Sequence, residues 1–187
     1  MRCIYLAFVV FFLFSCGQAR QVRAVNHPDS LHIIESSYAQ FPHGERQMGH
    51  HYSDRFYAYA SHYNDSSIAI YIPSAAAFGD SIHFVIYFHG WRNHIRKSLT
   101  DFKLLKQIYN SRVNAIFIFP QGPNNAADSF AGKMEDAGGF QNMMRHVMGY
   151  LKEKGILSTD AVMGSLVLAG HSGAYRRIAF ILNRGGG

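Results

Sequence analysis

Beyond Cys16 the 187-residue chain contains no cysteine, so no disulfide can form within its main body. It has no H-E-x-x-H and no paired-cysteine motif, and its eleven histidines are scattered, which points away from a structural or catalytic metal. No cofactor motif is seen either. Charged residues are scarce, at 16%, and form no block of one sign, although the formal net charge is +6. Nucleic-acid binding calls for basic side chains clustered on one face, so a nucleic-acid partner is not expected. No internal repeat or low-complexity segment stands out. The apolar run from Ile4 to Phe14 is about a dozen residues, too short to span a bilayer comfortably.

What is present argues for a globular chain: 48% of the residues are hydrophobic, and the length suits one domain with a sizeable core. The N-terminus has the layout of an export signal over residues 1–19, with Arg2 ahead of the apolar run. Leu13-Phe14-Ser15-Cys16-Gly17 resembles a bacterial lipobox, which implies that Cys16 becomes the first mature residue and carries lipid. Cleavage after Gly17-Gln18-Ala19, a small-x-small site, is the alternative. Either way the chain is exported. The lipobox implies a cell-envelope lipoprotein, held at the periplasmic or outer-membrane surface by acyl chains rather than by a spanning segment.

Residues 20–51 are polar and irregular, with Pro28, Pro42 and Gly44, and read as a tether or an arm lying on the domain. Residues 52–187 read as the domain itself. Arg55–His62 and Ser67–Ile72 have strand composition around a turn-like Tyr63-Asn64-Asp65-Ser66, which predicts a hairpin. Ser81–Phe88 is apolar on both faces, as a central parallel strand should be. Lys97–Asn110 follows as a helix with Leu99, Phe102, Leu105 and Ile108 on one face. Asn114–Phe119 is a second buried strand, and Gly139–Lys154 a second helix, striped by Phe140, Met143, Met144, Val147 and Leu151. Gly155 caps that helix. The alternation of strands and helices predicts an α/β fold, a mostly parallel sheet with flanking helices behind a leading antiparallel hairpin.

The chain turns on the stretch after Ile156–Met163. Leu166–Ala169 is a short apolar run of strand length. Gly170-His171-Ser172-Gly173-Ala174 follows at once, and Ile178, Ala179, Ile181 and Leu182 then recur at helical spacing. A strand, a tight corner carrying one serine between small residues, and a helix have the layout of a nucleophile elbow. Such a corner holds the serine in a strained conformation with its Oγ clear of the sheet. The next amide sits at a helix N-terminus, where donors are unpaired and the dipole favours an anion.

At these residues the chain resembles the α/β-hydrolase superfamily of esterases, lipases and related serine hydrolases. The family motif is G-x-S-x-G; here Ala174 takes the last place, a mild departure because alanine is also small. The resemblance covers about residues 52–187, the front half of that fold. It implies that Ser172 is the nucleophile and that His89-Gly90-Trp91, just after the first buried strand, shapes the loop supplying the second oxyanion donor. The implied donors are the backbone N–H groups of Trp91 and Gly173, with His89, Gly90, Gly170 and His171 supporting the motif. His89 is read as a brace for the loop rather than as a base. His171 points away from the serine in such an elbow. Trp91 either lines the acyl pocket or covers the sheet. Asp128, Glu135 and Asp136 suit the entry to the second helix, and Arg176 and Arg177 are expected to be solvated or bonded to nearby loops.

Family triads run Ser, then Asp or Glu, then His, and no Asp, Glu or His follows Ser172. Three expectations follow. The first is the N-terminal portion of an exported serine hydrolase, cleaving an ester (or amide) through an acyl-enzyme on Ser172 and inactive by itself. The second is a non-catalytic protein of this fold that binds a ligand or partner. The third is an enzyme using an upstream imidazole such as His89 or His94 as base. A small-molecule or polysaccharide-linked ester is the expected substrate class. Metabolic palmitate labelling checks the anchor: the wild-type chain is expected to take up label and Cys16→Ala to lose it, whereas label persisting in Cys16→Ala contradicts lipidation there.

Overall fold

A computed structural model describes residues 29–184. The signal segment and Cys16 lie outside the described residues. In chain order the strands are β1 (Ser30–Glu35), β2 (His50–Tyr52), β3 (Arg55–Tyr57), β4 (Ser67–Ile72), β5 (Ser81–Phe88), β6 (Ile116–Pro120) and β7 (Val162–Gly170). The helices are α1 (Tyr59–His62), α2 (Ile95–Asp101), α3 (Leu104–Ser111), α4 (Gly139–Glu153) and α5 (Tyr175–Asn183). Five strands form one sheet in the order β1-β4-β6-β5-β7, and β2 pairs only with β3. β5 runs parallel to both β6 and β7, while β4 is antiparallel to β6 and to β1. Four of the five strands therefore point one way, and β4 alone runs against them.

Alternation along the strands divides the core into two layers. Ile68, Ile70, Ile72, Phe84, Ile86, Ile116 and Ile118 face α4, whose Phe140, Met143, Met144, Val147 and Leu151 are all buried against them. Ile178 and Ile181 of α5 join the same layer. Ala69, Tyr71, Phe117, Phe119, Val85 and Tyr87 face the other way, toward Ile95, Leu99, Phe102, Leu104 and Leu105 of α2 and α3. The crossover from β5 to β6 thus covers one face and that from β6 to β7 the other, as connections of one hand leading to opposite sides require. Gly155, at φ +67, closes α4 while its N–H donates to Lys152 O at 3.0 Å.

The expected hairpin does not form. Arg55–Tyr57 pairs with His50–Tyr52, and the chain then turns into α1. The reason lies in the two tyrosines: Tyr57 and Tyr63 are fully buried with Phe41, Ala126, Ala127 and Phe130 in a satellite cluster, and the α1 turn brings both inward. On its outer side β4 pairs instead with β1, antiparallel and in register from Ser30 opposite Ile72 to Glu35 opposite Ser67. A strand thus lies within residues expected to be an irregular arm. The alternation in Ser30-Leu31-His32-Ile33-Ile34-Glu35 was its signal.

The helix expected over Lys97–Asn110 is two helices broken at Phe102 and Lys103, with Lys103 at φ +50. On a straight helix Leu99 and Ile108 would fall on opposite sides, about half a turn out of phase. The break resets the phase and lets Leu99, Phe102, Leu105 and Ile108 pack on one layer. β7 runs well beyond the four apolar residues that announced it and forms a sheet edge. Its Leu166 and Leu168 pack on the core, while Val162, Met163 and Val167 are exposed. Among the described residues no helix is long and apolar enough to cross a membrane.

Phe84 sits at the centre of β5 and is 1% exposed. Phe84→Ala is expected to cost about 3–5 kcal/mol in urea unfolding. Val167→Thr, on the open face of the edge strand, should stay within about 0.5 kcal/mol; equal losses would contradict the layering.

Candidate functional site

Strand order selects one place on the sheet. β5 leads to β6 on one side, and β6 leads back across to β7 on the other, so the connections diverge between β5 and β7. In open α/β sheets the crevice beyond the carboxyl ends of strands at such a switch point is where ligands bind. The two loops there are His89-Gly90-Trp91-Arg92, after β5, and His171-Ser172-Gly173, after β7.

Ser172 has φ +52, in the left-handed region that a side chain other than glycine rarely adopts. The turn is set by main-chain bonds: Ala174 N–H donates to His171 O at 3.1 Å, and Tyr175 N–H donates to Ser172 O. His171 N–H donates to Phe88 O at 3.1 Å, tying the corner to β5. Small residues are required by contact. A β-carbon at Gly170 would lie 2.8 Å from Ala174 Cβ, so the glycine makes room for the alanine in the last motif position. A β-carbon at Gly90 would lie 2.7 Å from His171 O and 2.9 Å from Ser172 Cβ. The loop after β5 therefore presses directly on the serine.

Ser172 is exposed and Gly173 is buried. A β-carbon at Gly173 would meet Trp91 Cδ1 at 2.7 Å, Trp91 Nε1 at 2.8 Å and Ser129 Oγ at 2.7 Å. Trp91 Nε1 donates to Ser129 Oγ at 2.7 Å, and Tyr52 stacks edge-on against the indole with centroids 4.8 Å apart. Arg92, at φ +55, holds the loop by donating its N–H to Ala126 O at 2.8 Å. Among the described residues neither the Gly173 nor the Trp91 main-chain N–H donates to another protein group. Ser172, Gly173, Gly90 and Trp91 are thus brought together, and Ser129 and Tyr52 join them without having been marked in the sequence. Ser129 could not be found there, because nothing local to its loop announces a contact with Trp91.

His89 is 1% exposed and fully engaged. Its Nδ1 donates to Gly90 O at 2.7 Å, which leaves Nε2 to accept from Gly122 N–H and from Gln121 Nε2, both at 3.1 Å. Burial, with the nearby Arg177 charge, pushes its pKa down to about 3, so the ring is neutral. Gln121 continues the brace, its Oε1 accepting from Ile95 N–H at 2.9 Å. His171 lies against Phe102, centroids 5.3 Å apart. His94 caps α2 by accepting from Lys97 N–H at 3.4 Å and lines a separate polar cleft of about 340 Å³ with Asp65, Gln121 and Asn124. Ser172 is not among the residues lining it.

Arg177 is buried rather than solvated and is bonded to the loop after β5, with Nη1 donating to His89 O at 3.3 Å. Burial lowers its pKa to about 10, and Asp128 and Glu135 counter part of that loss, so it stays charged at neutral pH. Arg176 grips Glu135 with two bonds of 2.7 and 2.9 Å. Asp128 is buried and accepts from Arg46 Nε at 2.7 Å, Tyr63 Oη at 3.1 Å and Phe130 N–H at 2.8 Å. Burial raises its pKa, but the Arg46 and Phe130 bonds outweigh that and hold it below the usual carboxylate value. Among the described residues no group of three His, Cys, Asp or Glu side chains could hold a metal ion.

The neutral His89 makes stability depend on pH. The unfolded chain takes a proton at His89 below about pH 6.5, and the folded chain resists it down to about pH 3. Its contribution is therefore complete above that window and is lost as pH falls through it. Urea midpoints measured across the window should fall less steeply for His89→Gln than for wild type; equal slopes contradict a buried neutral ring. No family model, curated protein or solved structure matches the chain, so the chemistry of this corner is read from its own geometry.

Proposed function

We propose that this chain carries the nucleophile and the anion-binding half of a serine hydrolase acting on an ester (or amide) bond. One observation carries the reading: an exposed serine at φ +52 sits on a strand-to-helix corner at the switch point, against the Trp91 loop. Ser172 Oγ would attack the acyl carbon, and the carbonyl π pair would move onto its oxygen. The main-chain N–H groups of Gly173 and Trp91 would hold that oxyanion. Collapse of the tetrahedral adduct would expel the alcohol or amine and leave the acyl group on Ser172, for water to release. The finer assignment to the α/β-hydrolase fold belongs to the same proposal, supported by the single antiparallel strand β4 in an otherwise one-way sheet. So do attachment through Cys16 at the cell envelope and a small-molecule or polysaccharide-linked ester as substrate.

The Oγ proton needs an acceptor. No described residue hydrogen-bonds Ser172 Oγ, and both nitrogens of His89 are engaged elsewhere. Turnover by these residues alone is therefore expected to be low. The same observation favours a second reading, a non-catalytic protein that binds an anionic or carbonyl-bearing ligand at the corner.

A fluorophosphonate probe separates the two, because it reports on the nucleophile without requiring turnover. Slow labelling located at Ser172 by peptide mass spectrometry, and lost in Ser172→Ala, is the expected result. A folded protein that stays unlabelled supports the second reading instead.

A further inference from the structure

We propose that the Ser129 hydroxyl is a third hydrogen-bond donor to the anion at the Ser172 corner, and that the Trp91 side chain holds it in place. The inference rests on the reading of Ser172 as a nucleophile.

Ser129 lies in the long loop between β6 and α4, half-buried, between two anchored neighbours. Asp128 on one side is tied to Arg46, Tyr63 and the Phe130 N–H. Phe130 on the other side is 3% exposed in the satellite cluster, with the Arg46 guanidinium 4.3 Å above its ring. The serine between them has little freedom to wander. Its hydroxyl is turned toward the elbow, 2.7 Å from where a β-carbon of Gly173 would stand.

The chemistry of the Trp91 contact decides what that hydroxyl can do. An indole N–H only donates, so Ser129 Oγ is the acceptor in the 2.7 Å bond. A hydroxyl also has one proton of its own, and here it has no second protein partner among the described residues. That proton is available to a ligand oxygen next to the Gly173 amide. Phenylalanine or tyrosine could cover Gly173 as well as tryptophan does, but neither ring carries an N–H at that place. Trp91 would thereby serve twice, its main-chain N–H as donor and its side chain as a positioning group.

Phenylboronic acid tests this without requiring a protein base. Ser172 Oγ adds to the trigonal boron to give a tetrahedral anionic boronate, its proton passing to buffer, and boron-11 NMR distinguishes the two forms. Wild type is expected to form the adduct and Ser172→Ala to lose it. Ser129→Ala should weaken the adduct by about tenfold to a hundredfold, the worth of one hydrogen bond to a charged group. Ser129→Thr, which keeps the hydroxyl, should restore most of that loss, and Trp91→Phe should weaken binding in the same direction as Ser129→Ala. Circular dichroism on each variant separates loss of the adduct from loss of the fold. An adduct that forms through Ser172 with equal strength in wild type and a folded Ser129→Ala overturns the Ser129 donor alone. Absence of a tetrahedral signal in wild type, or its survival in Ser172→Ala, removes the Ser172 reading as well.

Discussion

The contact between Gly90 and Ser172 is the constraint on which the corner depends. Two loops leave neighbouring strands at the point where the chain's connections diverge, and they meet with no room for a methyl group between them. That closeness fixes where the serine stands relative to the Trp91 amide. It also explains why small residues crowd this part of the sequence: Gly170 yields to Ala174, Gly173 to Trp91 and Ser129, and Gly90 to the serine itself. Each glycine is required by a named neighbour, and only a few tenths of an ångström separate tolerance from displacement.

Next to this contact lies a polar brace at the carboxyl ends of the central strands β5 and β6. His89, Gln121, the Gly122 amide and Arg177 form one buried group linking the loops after β5 and β6 to helix α5. Burial makes the imidazole neutral and the Gly90 carbonyl fixes its tautomer, which lets a single ring satisfy a carbonyl on one side and an amide on the other. Arg177 Nε and Nη2 find no hydrogen-bond partner among the described residues, so the charge is held by packing and by the carboxylates of Asp128 and Glu135 at longer range. Desolvating a guanidinium in this way is costly. The structure accepts that cost where Arg177 reaches His89 O and packs against Gly122.

Much of this was legible in the chain. The apolar runs of β5 and β6 and the stripe of α4 needed only periodicity, and the elbow was visible because strand, small-residue corner and helix follow one another without interruption. What could not be read were decisions made by distant partners. The strand expected from Arg55 to His62 was broken by the burial of Tyr57 and Tyr63 against Phe41 and Phe130, residues far along the chain. Residues 30–35 carry only a short alternation, Leu31 and Ile33 against Ser30 and His32, and Ile34 followed by Glu35 breaks its phase. Arg177 was expected either in solvent or bonded to a nearby loop; the second holds, through His89 O, and only the fold shows which loop it reaches. Ser129 and Tyr52 carry no local signal and enter the site through contacts with Trp91 and, for Ser129, with Gly173.

The most direct measurement of the central claim is a crystal structure that resolves the Ser172 main chain and its Oγ. Ser172 is predicted in the left-handed region near φ +52, with Gly90 in van der Waals contact, and the proposed function requires the Gly173 and Trp91 amides to face the same point as the hydroxyl. An extended Ser172 with its hydroxyl turned beneath the sheet, or a Trp91 amide directed away from that point, would contradict it.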